Sequence, residues 1–124
     1  MHRRTIRGLM LAALLAISGE SARADEQVII AERFHPAPGR EAELETRLLK
    51  AVKFVKQAEP NITYRLHRSA KEPTVFLFYQ VYPSEAARDQ HRQIVAAFRQ
   101  EFGPPPEGIF SRPSEVETYR LLAE

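Results

Sequence analysis

His91 is the residue of this 124-residue chain whose type best suits proton transfer near neutral pH. It falls on an apolar spacing: Ala87, His91, Ile94, Phe98 and Phe102 follow one another at steps of four, three, four and four. That period puts His91 on the inner face of a helix. There it reads in two ways, as a pocket base with an environment-shifted pKa or as a core histidine paired with a neighbour. Gln80 is a second anomaly, an amide in the middle of an apolar strand. By alternation it shares a face with Phe76 and Phe78. A buried amide needs partners, so Gln80 either orients a ligand or ties to a neighbouring side chain. Tyr64, Phe76, Phe78, Tyr79 and Tyr82 come from two adjacent strands. They suit the wall of an apolar cavity for a flat aromatic molecule, and equally an ordinary aromatic core. Arg33, Arg65 and His67 form a candidate polar patch, or simply a solvated strand face.

Other chemistries lack their residues. The chain has no cysteine, hence no disulfide, thiolate nucleophile or Cys-ligated metal. His35, His67 and His91 are far apart and no H-x-x-x-H pair exists, so no metal is expected. Gly39, Gly103 and Gly108 approach neither a dinucleotide nor a phosphate-loop spacing, and no G-x-S-x-G occurs.

Those side chains must be positioned by a short series of elements. Gln27 to Phe34 reads as a strand, and His35-Pro36-Ala37-Pro38-Gly39 as a breaker. Arg40 to Glu59 reads as a helix with Leu44, Leu48, Val52 and Val55 in one stripe, stopped by Pro60. Its glutamates come early and its lysines late, the order the helix dipole favours. Ile62 to Arg68 and Thr74 to Tyr82 read as a hairpin. Ser84 is the expected N-cap of the helix that carries His91 and ends near Gly103. Residues 107–113 read as an irregular loop, and Val116 to Leu122 as a last strand. The order β-α-β-β-α-β predicts an α+β, ferredoxin-like fold with an antiparallel sheet. Helices on one side leave the other sheet face bare, although two strands are apolar on both faces. A second copy packed sheet to sheet resolves that conflict, so a homodimer is expected.

The N-terminus has a different character. Arg3, Arg4 and Arg7 precede the apolar run Leu9 to Ile17, and Ala22-Arg23-Ala24 closes the segment. This is the plan of a cleaved secretory leader over residues 1–24, leaving one domain over 25–124. The run is about half the ~20 residues of a membrane span, so no anchor is expected after cleavage. The Arg3-Arg4 pair raises twin-arginine export, but no Phe-Leu pair follows it, which favours ordinary secretion. The leader takes four of the 18 basic residues and one of the 16 acidic, leaving 14 and 15. The basic pI therefore belongs largely to the leader, and nucleic acid is not an expected partner. Periplasmic or secreted location follows as an expectation.

Four segments resemble the antibiotic biosynthesis monooxygenase family. Ala58-Glu59-Pro60 through Tyr64 to Ser69 is similar to its E-P-G…Y…S segment, and Glu72-Pro73 through Phe76 and Tyr79-Gln80-Val81-Tyr82 to its D-P…F…Y-E-x-W strand. Ala86-Ala87 to His91 is similar to its A-A-L-x-x-H helix, and Pro38-Gly39 to its K-P-G. The resemblance implies a dimeric α+β barrel and oxidation of a small aromatic or hydroquinone by O₂ without a cofactor. By motif it implies catalytic roles for His91, Tyr64 and Gln80 and substrate contact by Glu59, to which the inward-facing rings Phe76, Phe78 and Phe98 are added as expected substrate contacts. Gln80 stands where the family pattern prefers Glu, Asn61 replaces Gly and Tyr82 replaces Trp. Glu32 lies roughly where haem-degrading relatives use Asn, which speaks against haem cleavage by that route. The alternative class is a non-enzymatic dimer that holds a small aromatic or haem-like ligand in the periplasm.

Overall fold

The computed structural model describes residues 26–124, so the expected leader lies outside the described residues. Six elements follow in order: β1 (Val28–Pro36), α1 (Glu41–Ala58), β2 (Thr63–Arg68), β3 (Phe76–Tyr82), α2 (Glu85–Phe102) and β4 (Phe110–Tyr119). The strands form one sheet in the order β2-β3-β1-β4, every neighbouring pair antiparallel. This is the ferredoxin-like β-α-β-β-α-β arrangement that the residue patterns predict. Among the described residues, no helix is long and apolar enough to cross a membrane.

Alternation assigns the two faces of the sheet. Ile30 lies opposite Gln80, Glu32 opposite Phe78 and Phe34 opposite Phe76, while Tyr64 of β2 also lies opposite Gln80. Because side chains alternate with a period of two, these residues all point to the helix side. The intervening pairs Ile29–Val81, Ala31–Tyr79 and Arg33–Leu77 point the other way.

The stripe of α1 meets this inner face. Leu44, Leu48 and Val55 are buried with Tyr64, Phe76, Phe78 and Ile109, and Val52 packs partly buried against them. A smaller cluster of Val28, Ile30 and Tyr82 sits at the other end, with Ile62 touching both. On α2, Ser84 Oγ accepts from the Ala87 amide (3.1 Å), the N-cap its position predicts. His91 and Phe98 are buried, but Phe102 is not, contrary to the extended stripe. It closes the end of the helix pair instead, its ring 6.2 Å from Phe54. Gly103 then turns the chain at φ +82°, a conformation open to glycine at little cost.

β3 begins at Phe76 rather than Thr74, and β1 and β4 differ more from the sequence reading. β1 runs on through His35 to Pro36, with register shifts at both residues, where a breaker is expected. β4 begins at Phe110 and ends at Tyr119, rather than spanning 116–122. Its Pro113 signals a loop in sequence terms. At a sheet edge, however, a proline sacrifices no ladder bond, so the strand absorbs it.

Candidate functional site

Glu59 is both the end of α1 and the start of the site. Its amide donates to the Val55 carbonyl (2.7 Å), and Pro60 prevents a further turn. The carboxylate reaches across to α2, where Glu59 Oε2 lies 2.7 Å from His91 Nδ1. Both residues are buried, His91 to 3 % exposure. The imidazole lies between Tyr64 and Tyr82, each ring centroid 5.2 Å away. Tyr82 donates its hydroxyl to Gln80 Oε1 (2.5 Å), and Tyr64 stacks on Phe78 at 4.5 Å.

Burial is the largest influence on His91 and lowers its pKa, while the hydrogen bond and charge of Glu59 push the other way. Burial prevails, so the imidazole is neutral at physiological pH. A carboxylate only accepts, so Nδ1 carries the proton toward Glu59 and Nε2 keeps its lone pair. Nε2 makes no hydrogen bond among the described residues, yet no fully buried side-chain nitrogen or oxygen there lacks a partner. Nε2 therefore opens onto the adjoining cavity. The same reasoning places the Tyr64 hydroxyl and the Gln80 NH₂ at its wall. Burial raises the pKa of Tyr64 and of Tyr82 well above the usual phenol value, so both remain donors.

The cavity has a volume of about 390 Å³ and lies between the sheet and both helices. Its floor includes Phe34, Tyr64, Phe78 and Gln80, and its helix side includes Leu48, His91 and Phe98. One carboxylate, Glu32, also lines it and accepts from Ser114 Oγ (3.1 Å). This is a concave site of mixed character, apolar rings and aliphatic side chains alternating with converging polar and charged groups that can orient a small molecule.

Of the sequence-selected residues, His91, Tyr64, Gln80, Phe78 and Phe98 meet at this cavity. Glu59 stands behind His91. Phe76 does not line the cavity: it is 1 % exposed within the core and lies under the Arg68 guanidinium. Tyr79 and His67 lie on the opposite sheet face by register. His35 belongs to a separate group at the β1 irregularity, donating from Nε2 to Glu115 (2.6 Å) and accepting at Nδ1 from Arg112 (3.2 Å). Among the described residues, no group of three or more His, Asp or Glu side chains is arranged to hold a metal ion. The polar lining residues that sequence patterning did not select include Ser114, between the expected loop and the expected last strand, and four arginines. Arg88, Arg92 and Arg99 do carry a signal, since they run at helical spacing beside the His91 stripe.

Residues 27–99 match the family described as antibiotic biosynthesis monooxygenase. The chain belongs to that family. A candidate antibiotic biosynthesis monooxygenase from Caulobacter crescentus has a similar structure, with 22 % identity, 86 % of this chain and 99 % of that chain covered, and a TM-score of 0.67. PA3566 from Pseudomonas aeruginosa gives 20 % identity, 81 % and 98 % coverage, and a TM-score of 0.66. Rv0793 from Mycobacterium tuberculosis gives 26 % identity, 79 % and 97 % coverage, and a TM-score of 0.64. No curated protein matches the chain. At these identities the structural matches establish the antibiotic biosynthesis monooxygenase fold, and the site residues stand on the geometry above.

Proposed function

We propose that this protein is a cofactor-independent monooxygenase that oxidises a small hydroquinone or related phenol with O₂. The observation that carries the reading is the neutral His91, held by Glu59, with its free Nε2 at a cavity walled by Phe34, Phe78 and Phe98. A phenolic hydroxyl in the cavity gives its proton to Nε2, and Glu59 stabilises the imidazolium that forms. The resulting phenolate passes an electron to O₂ more readily than the phenol does. The Tyr64 hydroxyl and the Gln80 NH₂ donate to the ring oxygens, and Phe78 and Phe98 hold the ring away from water. The balance is one hydroquinone and one O₂ giving one hydroxyquinone and one water. One oxygen atom forms a new ring C–O bond and the other leaves as water, with four electrons drawn from the ring. The metal-free protein is expected to consume O₂ saturably with hydroquinone, above autoxidation, with one hydroxyquinone formed per O₂. Stoichiometric binding without uptake would make it a carrier for the same ligand.

The reading includes a second copy and an exported location. Ile29, Ala31, Leu77 and Val81 form the centre of the uncovered sheet face, with Tyr79 37 % and Tyr119 47 % exposed around it. An apolar face of this kind is stabilised by covering it with its own copy about a two-fold axis. Sedimentation equilibrium of the protein from Asp25 onward is expected to give about twice the monomer mass, and Leu77→Lys to return it toward the monomer. Export rests on the basic, apolar and A-x-A segments of residues 1–24.

A further inference from the structure

The charge around the cavity is lopsided. Arg47 of α1 and Arg88, Arg92 and Arg99 of α2 line it, against the single carboxylate Glu32. Arg92 pairs with Asp89 (3.0 Å). Among the described residues, Arg47, Arg88 and Arg99 make no ion pair with a carboxylate. Arg47 donates to the Gly103 carbonyl (2.8 Å) and lies over the Phe98 ring (5.2 Å), while Arg88 lies over Tyr82 (5.4 Å). These partners fix Arg47 and Arg88 without neutralising them. Burial and the charge of Arg99 both lower the Arg47 pKa, the mark of two cations held near each other. Two like charges at one cavity edge repel, and an anion placed between them relieves that repulsion while gaining bidentate hydrogen bonds.

We propose that the cavity takes an anionic aromatic, a phenol or hydroquinone ring carrying a carboxylate arm, with the arm at Arg47 and Arg99 and the reacting hydroxyl at His91. The inference rests on the reading of this cavity as the substrate site. His91 and Arg99 are eight positions apart on α2, about 12 Å along the helix axis. A single ring with a short arm, met by an extended arginine, spans that separation. The carboxylates are placed so as not to oppose it: Glu59 is engaged by His91 and Glu32 by Ser114, on the sheet side.

The test is anaerobic binding, so that it does not depend on turnover. The probes are 2,5-dihydroxyphenylacetate and its neutral amide, with 3-(2,5-dihydroxyphenyl)propionate and its amide as a longer pair, read by quenching of tyrosine fluorescence. At least one acid is expected to bind ~10-fold or more tightly than its amide, as a charge-assisted contact gives. That preference is expected to shrink in Arg47→Gln/Arg99→Gln and to weaken from 0.05 to 0.5 M salt, the latter on unaltered protein. Acids and amides binding within about twofold of each other, or a preference that ignores both salt and the two arginines, would overturn the inference. If plain hydroquinone is turned over in that case, the monooxygenase reading survives and only the anionic class is lost. If neither acid nor amide binds and hydroquinone is not consumed, both fall.

Discussion

Replacing His91 with Gln lowers kcat for hydroquinone oxidation by ~10²–10⁴-fold, the range of a lost general base. The amide keeps a donor for Glu59, which is otherwise left as a buried carboxylate without its partner. The rate of the unaltered enzyme is level at neutral pH and falls on acidification. The sign follows from the lowered pKa: His91 must be neutral to accept a proton, and burial holds its folded value below the ordinary 6.5. The fall is therefore expected below pH 6.5, and it is absent in the Gln variant's residual rate. Stability has the same sense. The unfolded chain takes up a proton on His91 at a higher pH than the folded one. The contribution of this histidine is intact above pH 6.5 and is lost as pH drops toward the folded value. A pH–rate profile beside urea melts at pH 5 and 7.5 checks both. A His91→Gln enzyme with unaltered kcat would return His91 to the core histidine that its spacing also allows.

Phe76→Ala destabilises the fold by ~3–5 kcal/mol. That is a large part of the ~5–15 kcal/mol that holds a domain together. The ring is 1 % exposed, packs within the cluster of Leu44, Leu48 and Phe78, and is capped by Arg68. Deleting it leaves a void that the rigid sheet cannot close. Urea denaturation reads the loss directly. The milder Phe76→Leu, which keeps the protein folded for assay, is expected to leave KM unchanged, because Phe76 does not touch the cavity. Phe78→Leu, one alternation along the same face, is expected to raise it. Equal KM effects would place Phe76 at the substrate.

The contrast between Phe76 and Phe78 marks the limit of the sequence. Alternation put both on the inner face, and both are there. It could not say which lies beneath α1 and which beside the opening, since that depends on how the helices cross the sheet. The same holds for His91. Its period put it inward, but the two readings of it, paired core residue and pocket base, are not exclusive in the structure. It is paired through Nδ1 and free at Nε2. Glu59 is 32 residues earlier in the chain, and no local pattern measures that distance.

What the sequence determined by itself is what short-range physics controls. The periods of two and 3.6 gave the six elements in order and the inner faces of all but β4 and the last turn of α2. Ser84 and Pro60 gave the start of one helix and the end of the other, through a cap and a missing amide hydrogen. The motif order gave the family. Tertiary structure alone decided the rest. It carried β1 through Pro36 and β4 through Pro113, because an edge or a bulge frees a proline from the ladder. It brought Glu59 to His91, Tyr82 to Gln80 and Ser114 to Glu32. It also gathered arginines from two helices at one opening. Long-range pairings arise when packed elements fix each other's angles. A side chain's neighbours across a cavity are therefore set by the whole fold and written in no single stretch of chain.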